Sequence, residues 1–176
     1  MSEENRTPLH NRNIICNSFL REDGLVDLEA RFEDIKAHDW KDDKDTDFIH
    51  KGKTYHKMFL RLTINKSFQI KECEAKIIDS PFAICPLIEN SVKKMEGKFI
   101  SKGYKKAVSD LFDGENGCTH LKEMLFVLAA VAYQTMAPLL FKDNALEAKR
   151  HLVNTCFAFD DKNEVVKKDY PELYKG

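Results

Sequence analysis

Val26-Asp27-Leu28-Glu29-Ala30-Arg31-Phe32-Glu33 alternates apolar and charged side chains without a break. Successive strand residues point to opposite faces, so a period of two specifies a strand with Val26, Leu28, Ala30 and Phe32 on its buried face. Asp23-Gly24 stands just upstream and accepts the positive φ of a tight turn, which makes Arg12 to Leu20 the expected antiparallel partner. The pattern recurs downstream. Met58, Leu60, Leu62 and Ile64 alternate with Lys57, Phe59, Arg61 and Thr63, and Asn65-Lys66-Ser67 supplies turn chemistry before Phe68-Gln69-Ile70 opens a return strand. Parity extended backwards puts His56 on the buried face, and pairing across a turn near Lys66 sets it opposite about Lys76. Alternation breaks at Glu72-Cys73, where a bulge restores it through Ala75 and Ile77 and leaves Cys73 as a packing residue. Between the hairpins, Asp39 to Asp47 is dominated by Asp and Lys and is expected as a solvated loop.

Beyond Ser80-Pro81 the period changes to that of helices. Pro86 suits a first helical turn, with Cys85 as N-cap, Leu87, Ile88, Val92 and Met95 at helical spacing and Gly97 as the stop. A second helix is expected over Lys102 to Phe112, with Ala107, Val108, Leu111 and Phe112 inward. A third begins at Cys118 or Thr119 and carries Leu121, Leu125, Leu128, Ala132 and Met136 on one face, flanked by Met124, Val127 and Val131. A last helix is expected from Asn144 to Phe157. The fold class is therefore α+β: an antiparallel sheet of about four strands from two hairpins, followed by a helical C-terminal half. One domain over 1–176 is expected, with the sheet in 12–78, the helices in 84–157 and a weakly packed tail in 158–176.

Composition narrows the function. At 43% apolar and 32% charged residues, with 7 Gly and 5 Pro, the chain has the makeup of a packed globular protein. The 28 basic and 29 acidic residues leave a net charge of −1, which provides no large field for nucleic acid or anionic lipid. Neither nucleic acid nor membrane is expected as a partner. The uncharged run Met124 to Phe141 is interrupted by Gln134, Thr135 and Pro138 and reads as a core helix, covered by the sheet or by another copy in a homo-oligomer. Five cysteines with no C-x-x-C, and an acidic start lacking a secretory signal, fit a reducing, cytoplasmic location.

The chemistry-bearing residues converge. His56 points inward near the sheet end where the chain turns toward Cys85, while Cys118 and His120 open the long helix. Thiols at helix starts feel free N–H groups and a positive dipole, which favour the thiolate. His56, Cys85, Cys118 and His120 thus form a candidate N/S ligand set for zinc or an iron-sulfur cluster, in a structural role or as an acceptor from a metal or cluster donor protein. Buried small cysteines and a helix-start histidine are the structural alternative. A thiol-dependent enzyme using Cys118 or Cys85 is another, lacking an evident orienting carboxylate, and a ligand- or partner-binding domain is a third. Glu123 reads as a carboxylate behind the ligands or an exposed first-turn residue. His10, His38, His50 and His151 show no partners in the sequence, and Cys16 and Cys156 read as inert thiols.

Asp23-Gly-Leu-Val-Asp-Leu-Glu-Ala30, His56-Lys-Met58, Pro81-Phe-Ala-Ile-Cys-Pro86 and Gly117-Cys-Thr-His-Leu121 resemble the landmarks of a bacterial family, domain of unknown function 2889, over about Arg12 to Gln134. That resemblance implies no assigned reaction. The order of hairpin, inward ligand and two cysteines before helices is also similar to NifU-like iron-sulfur cluster assembly scaffolds, which bind zinc or a cluster. There Cys85 and Cys118 match the second and third cysteines, and Gly97-Lys98 matches a Gly-Lys after the first helix. His56 and Met58 replace the Cys-x-Asp of that family, Pro86-Leu-Ile-Glu replaces its small residues, and its Leu-Pro-Pro-Val-Lys motif is absent.

Overall fold

The computed structural model describes residues 5–41, 48–143, 149–150 and 152–176. Four strands, β1 (His10–Leu20), β2 (Val26–Lys36), β5 (Thr54–Ile64) and β6 (Ile70–Asp79), form an antiparallel sheet in the order β1-β2-β5-β6. Two short strands, β3 (Trp40–Lys41) and β4 (Phe48–Ile49), pair with each other where a charged loop was expected; residues 42–47 of that loop lie outside the described residues. The second half holds α1 (Tyr104–Phe112), α2 (Thr119–Asp143) and α3 (Glu164–Asp169) among the described residues, together with 3-10 turns. The α+β class and the two-hairpin sheet are as the alternation predicts. The chain forms two compact units, one up to Ala132 and one from Tyr133, a boundary that falls inside α2.

In the first unit, Val26, Leu28, Ala30 and Phe32 are buried on one face of β2, and Met58, Leu60, Leu62 and Ile64 join them from β5. Burying each of these side chains larger than alanine contributes about 1.5–3 kcal/mol, which holds the register against a one-residue slip. The first turn closes by hydrogen bonds from Arg21 N–H to the Leu25 carbonyl and from Gly24 N–H to the Arg21 carbonyl, with Gly24 at φ 80°. The second turn is longer than expected. The Asn65 side chain accepts from the Ser67 and Gln69 N–H groups, and Phe68 sits at φ 62°, so β6 starts at Ile70 and not at Phe68. Lys71 is the extra residue of a bulge close to the predicted position, and Cys73 is buried. Ile77 consequently pairs with Met58 and Lys76 with Phe59, so Lys76 is not opposite His56.

The segment Cys85–Met95 is a 3-10 helix, not the expected α-helix, and its N-cap is Ile84, not Cys85. Three residues per turn align positions three apart. Glu89, Val92 and Met95 form the edge toward the sheet, with Val92 and Met95 buried, while Ile84 and Leu87 are 70% and 80% exposed. Leu87, expected at helical spacing with Val92 and Met95, therefore lies off their buried edge. Glu89 and Glu96 accept hydrogen bonds from the N–H groups of Ile77 and Cys73, which satisfies donors on the outer edge of β6.

α1 buries Tyr104, Val108 and Phe112, and α2 buries Leu121, Met124, Leu125, Leu128, Ala132 and Met136. By length and composition alone, Thr119–Leu140 could cross a membrane. In the second unit, Asn154 and Asp161 exchange hydrogen bonds of 3.0 and 3.1 Å, and Val166 of α3 is fully buried. The helix expected from Asn144 falls, over residues 144–148 and 151, outside the described residues.

Candidate metal centre

The inward parity of β2 does not stop at Phe32. Asp34 is the next residue on that face, 2% exposed, and the β2–β5 register sets it opposite His56. His56 Nδ1 lies 3.2 Å from Asp34 Oδ2. From β1, Arg12 donates to both carboxylate oxygens, Nε to Oδ1 and Nη2 to Oδ2 at 2.8 Å each, and His10 Nε2 lies 3.0 Å from Oδ1. Arg12 also donates from Nη1 to Glu123 Oε2 at 2.8 Å, tying β1 to the first turns of α2. Burial works against the Asp34 charge, but the hydrogen bonds and positive charge of Arg12, with the bond from His10, outweigh it and hold the carboxyl at about 2. His10, which showed no partner in the sequence, belongs to this network.

The start of α2 is fixed by a close approach. A Cβ on Gly117 would lie 2.7 Å from the Phe112 carbonyl oxygen, so only glycine fits there. The Cys118 carbonyl accepts from Lys122 N–H and opens the helix, placing His120 in its first turn. The His120 ring rests 5.0 Å from that of Phe32 and 4.1 Å from that of His56, centroid to centroid. Its Nε2 faces Asp34 Oδ2 at 3.7 Å, and its Nδ1 faces Cys118 Sγ at 3.8 Å. Burial, then the neighbouring His56, lowers the His120 pKa to about 4. Burial also lowers that of His56, against the pull of Asp34. Both rings are therefore neutral near pH 7, the state in which imidazole nitrogen binds metal.

Cys85 is not within ligand distance of this group but shares its cavity. It lines, with His56, Cys118 and His120, a cavity of about 550 Å³. All four residues singled out in the sequence share that cavity. Asp34, Arg12 and His10 were missed, and Glu123 acts through Arg12. The other thiols do not line this cavity: Cys73 is buried, and its pKa is pushed up by burial and then by Glu96; Cys16 is half-buried and Cys156 exposed.

Asp34, His56 and His120 each present a ligand-type atom within 4.8 Å of the others. Arg12 occupies both Asp34 oxygens, and that guanidinium would repel a cation bound to them. The carboxylate is better suited to hold the rings. Neutral His56 donates its Nδ1–H to Asp34, which leaves Nε2 with its lone pair, and Nδ1 of His120 is directed at sulfur. A carboxylate behind a ligating imidazole fixes its tautomer and raises its basicity.

Comparison with curated proteins and with solved structures finds no match for either. Residues 10–134, which include every member of this network, match the model of a family described as "Protein of unknown function (DUF2889)", and the chain belongs to that family.

Proposed function

We propose that the protein binds a zinc ion at Cys118 Sγ and His120 Nδ1, with His56 and Cys85 of the same cavity closing on it as the ion binds and Asp34 orienting the imidazoles. The observation that carries this reading is the 3.8 Å separation of Cys118 Sγ and His120 Nδ1. Tetrahedral zinc with sulfur at about 2.3 Å and nitrogen at about 2.0–2.1 Å sets two such ligands about 3.6 Å apart. Two neutral imidazoles supply the rest of the chemistry without a proton to displace. The same donor set suits a protein that accepts its ion from a donor in a reducing, cytoplasmic setting, where the five free thiols persist. Elemental analysis of anaerobically purified protein is expected to give one zinc per chain, with Cys118→Ala and His120→Ala depleted. Absence of stoichiometric metal, or metal content unchanged in both variants, overturns the reading.

A second reading gains from Asp34. Cys118 Sγ, His120 Nδ1, His120 Nε2 and Asp34 Oδ2 lie in sequence, which supplies the orienting carboxylate that a thiol nucleophile requires. In chelator-treated protein, this reading expects dilute iodoacetamide to label Cys118 many times faster than the exposed Cys156. Equal rates end it.

A further inference from the structure

The cavity that holds the cysteines and histidines has a second character. Its wall is formed by residues 81–88, between β6 and the buried edge of the 3-10 helix, and it presents Pro81, Phe82, Ile84, Leu87 and Ile88. Phe82, Ile84 and Leu87 are 65%, 70% and 80% exposed. The 3-10 winding explains this exposure: it sets Ile84 and Leu87 one turn apart on one edge and Cys85 and Ile88 on the next, so the apolar rim and the sulfur share one short element.

Charge adds the decisive restriction. Among the described residues lining the cavity there is no Lys, Arg, Asp or Glu, and the remaining polar side chains are two imidazoles, two thiols and Thr119. Asp34 lies behind the imidazoles with its charge matched by Arg12. A charged organic ligand would meet no counter-ion in this wall, whereas an uncharged apolar one covers exposed Phe, Ile and Leu. The volume of about 550 Å³ is that of a small-molecule site.

We infer that this cavity binds an uncharged, apolar small molecule, held by the 81–88 wall with one end against the Cys118 and His120 floor. This deepens the metal reading by naming the ligand class of the same cavity, and it rests on that reading only for what the floor holds.

N-phenyl-1-naphthylamine and 1-anilinonaphthalene-8-sulfonate share one ring system and differ by a sulfonate, so together they test charge at constant shape. Titrated into the protein as purified, the neutral probe is expected to show saturable fluorescence enhancement, binding at least tenfold more tightly than the sulfonate. Leu87→Asp and Ile84→Asp alter exposed positions, and each is expected to weaken the neutral probe at least tenfold with an unchanged melting temperature. No saturable binding, equal affinity for the two probes, or full affinity in both variants overturns the inference. Repeating the titration after chelation separates the two proposals. Probe binding in protein that never held zinc leaves this inference standing and removes the metal reading; one zinc per chain without probe binding does the reverse.

Discussion

Asp34 on β2 and His56 on β5 face each other across the antiparallel register, with Oδ2 3.2 Å from Nδ1, at the polar end of an otherwise apolar sheet face. Replacing the carboxylate by an amide keeps its shape and removes its charge. Asp34→Asn is expected to cost about 2 kcal/mol in urea unfolding, because Arg12 loses two charge-assisted bonds. Zinc affinity is expected to fall about 10–100-fold, as it does when the group behind a ligating histidine is removed. A competitive chelator titration checks the second figure; wild-type affinity would mean that Asp34 does not orient the rings.

Acid should destabilise the metal-free protein in two stages. His120 takes up a proton near pH 6.5 when unfolded but only near about 4 when folded, so the unfolded state binds more protons between those values and stability falls as pH drops through that window. Asp34, ionised down to about 2 when folded and to 3.8 when unfolded, adds stability above pH 4 that is lost as pH falls toward 2. Melting curves recorded with chelator from pH 7 to pH 2 are expected to show both limbs, with the upper one flattened in His120→Phe and the lower one in Asp34→Asn.

The proposed zinc site predicts a signature for chelation. A ligand present at 100 times its Kd stabilises the state it binds by about 2.7 kcal/mol, which for a chain of this size is roughly 5–10 °C in Tm. Chelation is expected to produce that loss in the wild type and none in Cys118→Ser.

Gly117→Ala tests the entry to α2. The added methyl meets the Phe112 carbonyl at 2.7 Å, and the backbone must shift to admit it. Overpacking of this kind costs about 1–3 kcal/mol, measurable by denaturant midpoint, and the displaced Cys118 and His120 are expected to hold zinc less tightly.

Much of this arrangement was legible in the sequence, and the omissions have physical causes. Alternation marked β2 and β5 because one face of each is buried, and stepping back from Met58 by two found His56. The same step forward from Phe32 reaches Asp34, but a charged residue reads as the end of a buried run unless its counter-charge is known. That counter-charge, Arg12, is 22 residues away. Apolar spacing of three and four groups Leu87 and Ile88 with Val92 and Met95 on an α-helix; the 3-10 winding uses three alone and leaves Leu87 exposed. Lys76 falls opposite Phe59 and not His56 because the left-handed Phe68, which propensity does not foresee, lengthens the turn and Lys71 adds a bulge residue.

Gly117 lies late in the chain, and the side chains it positions come after it. The sheet ends at Asp79, so strand register alone sets the Asp34–His56 pair, and the sulfur of Cys118 joins it only through the docking of the α2 start.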